Sequence, residues 1–394
     1  RFLPGVDPRE FHVRLSAALA ARRTGTHVVG LTAVGPAVAW LDGEILVDNR
    51  DPEPGRWFFG SGSKERRTEI HLVAGEQHEL VIEYERPPGA QLAGLRFGCQ
   101  SPLGDDPIGD AVAAALAADV AIVVVGTDGD VETEGVDRRS YGLPGNQEEL
   151  VRRVVEANQR TIVVVNAGAA HDLAWASDVP ALVWGWFGGM AMGEAMAEVL
   201  LGDAEPGGRL PFTVPVSVED APCDIGRPDP PGRLRYTEGR LVGHRWYEAR
   251  GTDPAWWFGQ GCSYTTFEWG GPVVPATVGP GEDFTVGLTV TNTGPRRGSE
   301  VVFVWVGRPD ASRDEPRWRL AGWTKVMLDR GASTEAVVPV DARALRRWQR
   351  ADGVAPFSAG SGSWVWDEGS VEVRVARHAG DPGTVVSLRL GSPV

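Results

Sequence analysis

Cysteine is scarce in this chain and badly spaced for chemistry. Cys99, Cys223 and Cys262 are its three cysteines, with no CxxC spacing and no neighbouring histidines, which argues against a zinc site and against a disulfide framework. They are expected as small buried fillers. Long apolar runs are lacking too. No stretch approaches the roughly 18 residues of a membrane span, and the opening RFLPGVDPREFHVRL has neither the basic start nor the apolar middle of a signal peptide. The expectation is a soluble chain that meets no membrane. Positive charge is also short, with 39 Lys and Arg against 53 Asp and Glu for a formal net charge of −14. The basic residues are scattered, so no nucleic-acid surface is expected, and a neutral or small ligand is.

What is present is length. At 394 residues the chain has room for two or three cores. From 10 to 98 the segments HVVGLTAVG, AVAWLDGEILVDN, TEIHLVAG and HELVIEYE alternate apolar and polar residues, the period of β-strands. LDGEI carries the Asp-Gly signature of a tight hairpin at Asp42 and Gly43. The turn formers of QSPLGDDPIG close this all-β module. From Asp110 the pattern becomes helix then strand: DAVAAALAA and DVAIVVVG, NQEELVRRVVEAN and TIVVVNAG, then strand PALVWGW and helix MGEAMAEVLLG. Strands apolar on both faces alternating with helices imply a mainly parallel sheet covered by helices. A Pro- and Gly-rich connection over 202–262 leads to DFTVGLTVTNTG, EVVFVWVG, STEAVVPVD and SVEVRVARH, the alternation of a small β-sandwich.

DGDVETEG, Asp128 to Gly135, follows directly on the strand VAIVVVG and crowds four carboxylates into seven positions. Such a loop is solvated, wrapped around a cation, or arranged for proton transfer. Charge clusters are usually surface features. The cation reading is weak: Asp128, Asp130 and Glu132 fall at positions 1, 3 and 5 of an EF-hand-like loop, but Thr133 stands at position 6 and Arg139 at position 12. No metal and no cofactor is expected. The loop sits at the carboxyl end of a parallel strand, the edge at which open α/β sheets bind ligands.

Together, VVVGTDGDVETEGVDRRSYGLPGNQEELV, TIVVVNAGAAHDLAW, GEAMAEVLLGDAEPGGRLPFTVP, VGHRWYEARGTDPAWWFGQGCSYTTFEW and RLAGWTKVMLDRGASTEAVVPV resemble the C-terminal half of the glycoside hydrolase family 3 β-glucosidases. The resemblance implies part of a PA14-like β module at 1–100, the C-terminal part of an α/β sandwich domain with its linker at 101–262, and a fibronectin type III-like domain at 263–394. The family's (β/α)8 barrel, which carries the nucleophilic Asp, has no counterpart here. By resemblance the chain is the C-terminal portion of an exo-acting, retaining β-glucosidase, inactive in isolation, whose partner is a barrel-bearing N-terminal segment or separate chain; homo-oligomers remain open. The other class in play is a non-catalytic carbohydrate-binding or scaffolding protein.

A retaining glycosidase needs two carboxyl groups about 5 Å apart, one attacking the anomeric carbon and one protonating the leaving oxygen. By resemblance Glu134 is the acid/base, with Glu132 as the alternative. Gly135 allows a sharp turn, and Asp137 and Arg138 hold the loop by an internal ion pair. Trp40, beside the hairpin, and Trp186 and Phe187, at a strand end, are candidate sugar or leaving-group contacts, against packing as the plainer reading. His171 lacks a nucleophile partner and is expected to be structural. His244 and Arg245 are expected to brace the loop to the sandwich. Met190 and Ala191 replace the family's usual polar pair. In related enzymes the PA14 module lies near the pocket mouth and limits the length of the leaving group.

Overall fold

A computed structural model describes residues 6–55, 57–129, 131–134, 138, 140–222, 238–309, 315–351 and 361–392. The chain divides into two compact units, one of residues 1–168 with 177–186 and one of 169–176 with 187–394.

The first unit opens with β1 (Phe11–Ala20), β2 (Gly25–Ala33), β3 (Ala37–Leu41), β4 (Glu44–Asn49), β5 (Arg66–Leu72), β6 (Gln77–Arg86) and β7 (Leu95–Gln100). These form two antiparallel sheets, β1-β6-β3-β4 and β5-β2-β7. Period-two alternation sends Val29, Leu31, Ala37, Ala39, Leu41, Leu80, Ile82 and Tyr84 into one core. The Asp42-Gly43 hairpin is present: both residues have left-handed φ, 53° and 84°, and Leu41 pairs with Glu44 across the turn. Asp42 is held there by His78 Nδ1 and the Glu79 amide, each 2.7 Å from its carboxylate.

The same unit continues with α1 (Pro107–Leu116), β8 (Ala121–Gly126), α2 (Gln147–Ala157), β9 (Thr161–Asn166) and β10 (Ala181–Trp184). β8, β9 and β10 are parallel, in the order β10-β9-β8. α2 is amphipathic and buries Val151, Val154 and Val155. The expected helical cover is one-sided on β8: Val123 and Val125 are buried, whereas Ile122 and Val124 are 53% and 63% exposed.

The second unit holds α3 (Met192–Leu201), α4 (His244–Arg250), β11 (Phe267–Trp269), β12 (Thr277–Val278), β13 (Phe284–Asn292), β14 (Gly298–Gly307), β15 (Trp318–Leu328), β16 (Ser333–Val340), β17 (Arg347–Arg350), β18 (Gly362–Val365), β19 (Gly369–Ala376) and β20 (Thr384–Leu390). Sheet β11-β13-β16 and sheet β12-β20-β19-β14-β15 make the expected sandwich, and β17 and β18 form a separate hairpin. β14 is buried along its whole length: its apolar run Val301–Val306 has cover on both faces, and the buried Glu300 is paired with Arg209 at 3.3 Å and Arg377 at 2.8 Å. Val302, Val304 and Val306 enter the sandwich core. Val301, Phe303 and Trp305 face a second cluster with Trp318, Trp257 and Phe258. One expectation fails: Cys262 is exposed and Cys99 only half-buried, because Cys262 lies in the irregular, glycine-bounded segment ahead of β11, where the chain runs at the surface. Cys223 lies outside the described residues.

Candidate active site

Parallel pairing brings three strand ends to one edge. Gly126 stands opposite Asn166, and Trp184 opposite Val165. The loops that follow β8, β9 and β10 therefore leave the sheet side by side. Gly126 is required by close approach, since a Cβ there would lie 1.9 Å from the Asn166 carbonyl oxygen. Gln147, first residue of α2, clamps the same point: its Oε1 accepts from the Gly126 amide at 2.7 Å and its Nε2 donates to the Gly126 carbonyl at 2.9 Å.

The acidic loop turns back on itself at once, with the Val131 and Glu132 amides donating to the Asp128 carbonyl at 3.1 and 2.9 Å. This turn aims Glu132 inward. Its carboxylate accepts from Thr127 Oγ1 at 2.8 Å and from the Gly168 amide at 3.1 Å, with Arg138 Nη1 4.0 Å away. Only 13% of that side chain is exposed. Glu132 thus ties the loop after β8 to the loop after β9. Glu134, two residues on, is exposed. Two neighbouring carboxylates therefore have opposite surroundings, one fixed by donors and one open to whatever approaches the edge. Arg138 also lies over the Tyr141 ring, 5.6 Å from its centroid. Gly135, Asp137, Asp130 and Arg139 lie outside the described residues.

At the end of β10, Trp186 is half-buried and takes a left-handed φ of 56°. Such a backbone costs a bulky residue about 1–3 kcal/mol and persists where surrounding structure enforces it. Its ring lies 5.7 Å from that of Trp184, whose indole donates to the Ala167 carbonyl at 3.0 Å. Phe187 is 52% exposed. Met190 is fully exposed, and Ala191, at the N-cap of α3, offers no side-chain cap. His171 is fully buried.

Trp40 is half-buried in β3 and faces away from the core formed by Ala37, Ala39 and Leu41. The aromatic of the β module that stands against the acidic loop is Trp57: a Cβ on Gly129 would lie 3.8 Å from its ring. Arg96 covers that ring at 4.0 Å from the centroid. Trp57 belongs to a tight turn in which the Gly62 amide donates to the Trp57 carbonyl at 2.8 Å and the Ser61 amide to the Phe58 carbonyl at 3.1 Å. Phe58 and Phe59 both have left-handed φ, 54° and 57°. Phe58 packs over Gly62 and Gly94, positions where a Cβ would clash with it, whereas Phe59 is 81% exposed. Sequence reasoning passed over this turn. Its signal was three consecutive aromatics in WFFGSG, outside any alternating pattern.

In the second unit, His244 packs against Trp305 and Phe258 at ring distances of 5.1 and 5.4 Å. Burial, then Arg245 and Arg374, push its imidazole down to about 4. Glu248, 4.0 Å from Arg374, is pushed up to about 7 by burial, with Arg374 and Arg317 opposing. Arg245 is half-buried.

The described residues thus comprise a parallel sheet with an acidic loop at its carboxyl edge and, in the second unit, a β-sandwich. Residues 15–264 match the glycosyl hydrolase family 3 C-terminal domain, and residues 300–379 match the fibronectin type III-like domain. The chain belongs to glycosyl hydrolase family 3. It is 36% identical over 98% of its length to a β-glucosidase of Rhizobium radiobacter, of which it covers 47%, and 33% identical over 96% to a probable β-glucosidase I of Aspergillus terreus, of which it covers 46%. Among solved structures it resembles the Kluyveromyces marxianus β-glucosidase in complex with glucose, with a TM-score of 0.77, 30% identity, and 99% of this chain and 46% of that one covered. A Streptomyces venezuelae β-glucosidase in complex with D-glucose is similar at a TM-score of 0.68 and 30% identity, with 96% and 46% covered. The chain thus spans just under half the length of these relatives.

Proposed function

We propose that this chain is the acid/base-bearing part of an exo-acting, retaining β-glucosidase that removes terminal β-glucosyl residues. The contrast between Glu134 and Glu132 carries the reading. A general acid must reach the glycosidic oxygen. Glu134 is exposed at the sheet's ligand edge, on a loop that Glu132 anchors through Thr127 and Gly168. In this reading Glu134 donates its proton to the leaving oxygen as the nucleophile forms the glycosyl intermediate, then takes a proton from the water that hydrolyses it. The nucleophilic Asp comes from protein outside this chain, in a barrel domain equivalent to the unmatched half of the relatives. Residues 1–100 are then the PA14-like module, and the Trp57–Phe59 turn within them restricts the leaving group to short or compact aglycones.

The test is hydrolysis of a nitrophenyl β-glucoside by residues 1–394 alone and by a longer protein that includes a barrel domain. Activity only in the longer protein is expected, because an acid without a nucleophile forms no glycosyl intermediate. Turnover by the purified chain alone, or none by either, contradicts the proposal.

A further inference from the structure

The second unit encloses a cavity of about 390 Å³ far in sequence from the acidic loop, a size within the range of small-molecule sites. Its character is opposite to that of the chain as a whole, which carries a net charge of −14. Arg240, Arg245, Arg308, Arg317, Arg319 and Arg347 all line it. They reach it from different places: Arg245 from α4, Arg319 from the start of β15, Arg347 from β17, and Arg240, Arg308 and Arg317 from loops. Their carboxylate partners are fewer. Glu315 pairs with Arg240 at 2.9 Å, Asp367 is shared by Arg347 at 2.6 Å and Arg308 at 3.4 Å, and Glu372 pairs with Arg317.

Arg319 and Arg245 form no ion pair with a carboxylate among the described residues. Arg319 donates to the backbone carbonyls of Arg346, at 2.8 Å, and Ala344. Burial holds its guanidinium below the usual range, and Arg308, Arg245 and Arg240 push the same way by repulsion, with the nearby Glu315 carboxylate opposing. Burial lowers Arg245 likewise. Half-buried like charges that are not neutralised cost free energy, and a bound anion would relieve it. The wall beside the arginines is aromatic. Trp348 and Trp364 pair across the β17–β18 hairpin with ring centroids 5.4 Å apart, and are 37% and 58% exposed. Exposed indole faces next to guanidinium groups suit a ligand that combines a flat apolar sugar face with an oxyanion.

We propose that this cavity of the fibronectin type III-like domain binds an acidic saccharide, its carboxylate held by Arg245 and Arg319 and its ring stacked on Trp364 or Trp348. The site is separate from the acidic loop, and does not depend on the proposed glycosidase reaction.

The experiment is titration calorimetry at low salt on the 394-residue chain, with glucuronate as the probe and glucose and inorganic sulfate as controls. Glucuronate should bind and glucose should not. Arg245→Gln should weaken glucuronate at least tenfold, the loss expected when one charge-assisted contact is removed. Arg245 makes no side-chain hydrogen bond or ion pair among the described residues, so Arg245→Gln should leave the melting temperature unchanged, and Trp364→Ala, which removes the ring contact with Trp348 but little burial, should lower it by about 1–4 °C. Trp364→Ala should weaken glucuronate and leave sulfate unaffected. Sulfate binding as tightly as glucuronate, with Trp364→Ala neutral for both, would reduce the cavity to a simple oxyanion site and overturn the saccharide assignment. No glucuronate binding, or binding indifferent to Arg245→Gln, would overturn it outright.

Discussion

Glu132→Ala should loosen the acidic loop in a way that can be read at one amide. Among its contacts within the described residues, the Glu132 carboxylate accepts from buried Thr127 and from the exposed Gly168 amide, with Arg138 at 4.0 Å. Hydrogen bonds to a charged group are worth about 1.5–3 kcal/mol when protected from water, and less at an exposed donor. The Gly168 bond is therefore assigned about 1–2 kcal/mol, and the Thr127 hydroxyl, left without this partner, about 1–3 kcal/mol more. Amide hydrogen exchange at Gly168 should accelerate by a factor of about 5–30, while amides in β9 keep their protection. Thr127 and Gly168 donate to different oxygens of the carboxylate, so Glu132→Gln, whose one carbonyl oxygen can replace only one of these acceptors, should fall between wild type and alanine. Unchanged exchange at Gly168 in Glu132→Ala would refute the anchoring role and reopen Glu132 as the proton donor.

Three further outcomes are expected. His244 and Glu248 should oppose each other in pH dependence: a carboxyl raised from 4.5 to about 7 gives stability that is present at acid pH and lost as pH rises through that window, whereas an imidazole lowered from 6.5 to about 4 gives stability lost as pH falls through its own. In urea titrations between pH 4.5 and 7, His244→Phe should therefore gain stability relative to wild type on acidification and Glu248→Gln should lose it, each by about 2–3 kcal/mol; parallel curves for all three proteins would contradict this. Gly126→Ala should destabilise by about 3 kcal/mol or more, or prevent folding, because its Cβ would lie 1.9 Å from the Asn166 oxygen; a normal denaturation midpoint would show that the strand end can move aside. Phe59→Ala should leave stability within about 0.5 kcal/mol of wild type, since Phe59 is 81% exposed, yet raise the rate of the barrel-containing protein on long glucan chains relative to disaccharide; an unchanged ratio would remove the turn from leaving-group selection.

The β architecture was legible because its signal is local. Alternation in β2 and β6 names their core-facing residues, and Asp42-Gly43 marks a hairpin by local backbone preference. Val301–Val306 of β14 and Ala121–Val125 of β8 are both continuous apolar runs, yet the first is buried on both faces and the second on one. Composition cannot tell them apart, because it says nothing of which faces find cover. The carboxylate loop was visible as charge, but the division between Glu132 and Glu134 rests on Thr127 and Gly168, from the ends of two different strands. Trp57 reaches Gly129 across some 70 positions of sequence, a contact that no periodicity encodes. The arginine cavity is dispersed for the same reason: its six guanidinium groups span positions 240 to 347 and looked like scattered surface charge.

The measurement that bears most directly on the central claim is the leaving-group dependence of Glu134→Ala in the barrel-containing protein. If Glu134 protonates the leaving oxygen, glycosyl transfer should slow steeply for alkyl and sugar aglycones and little for dinitrophenyl glucoside, which departs without a proton. The glycosyl intermediate should then accumulate, and azide, which needs no deprotonation, should restore turnover as a glucosyl azide of retained configuration. Equal slowing across leaving groups with no azide product, or this pattern in Glu132→Ala instead, would contradict the assignment of Glu134.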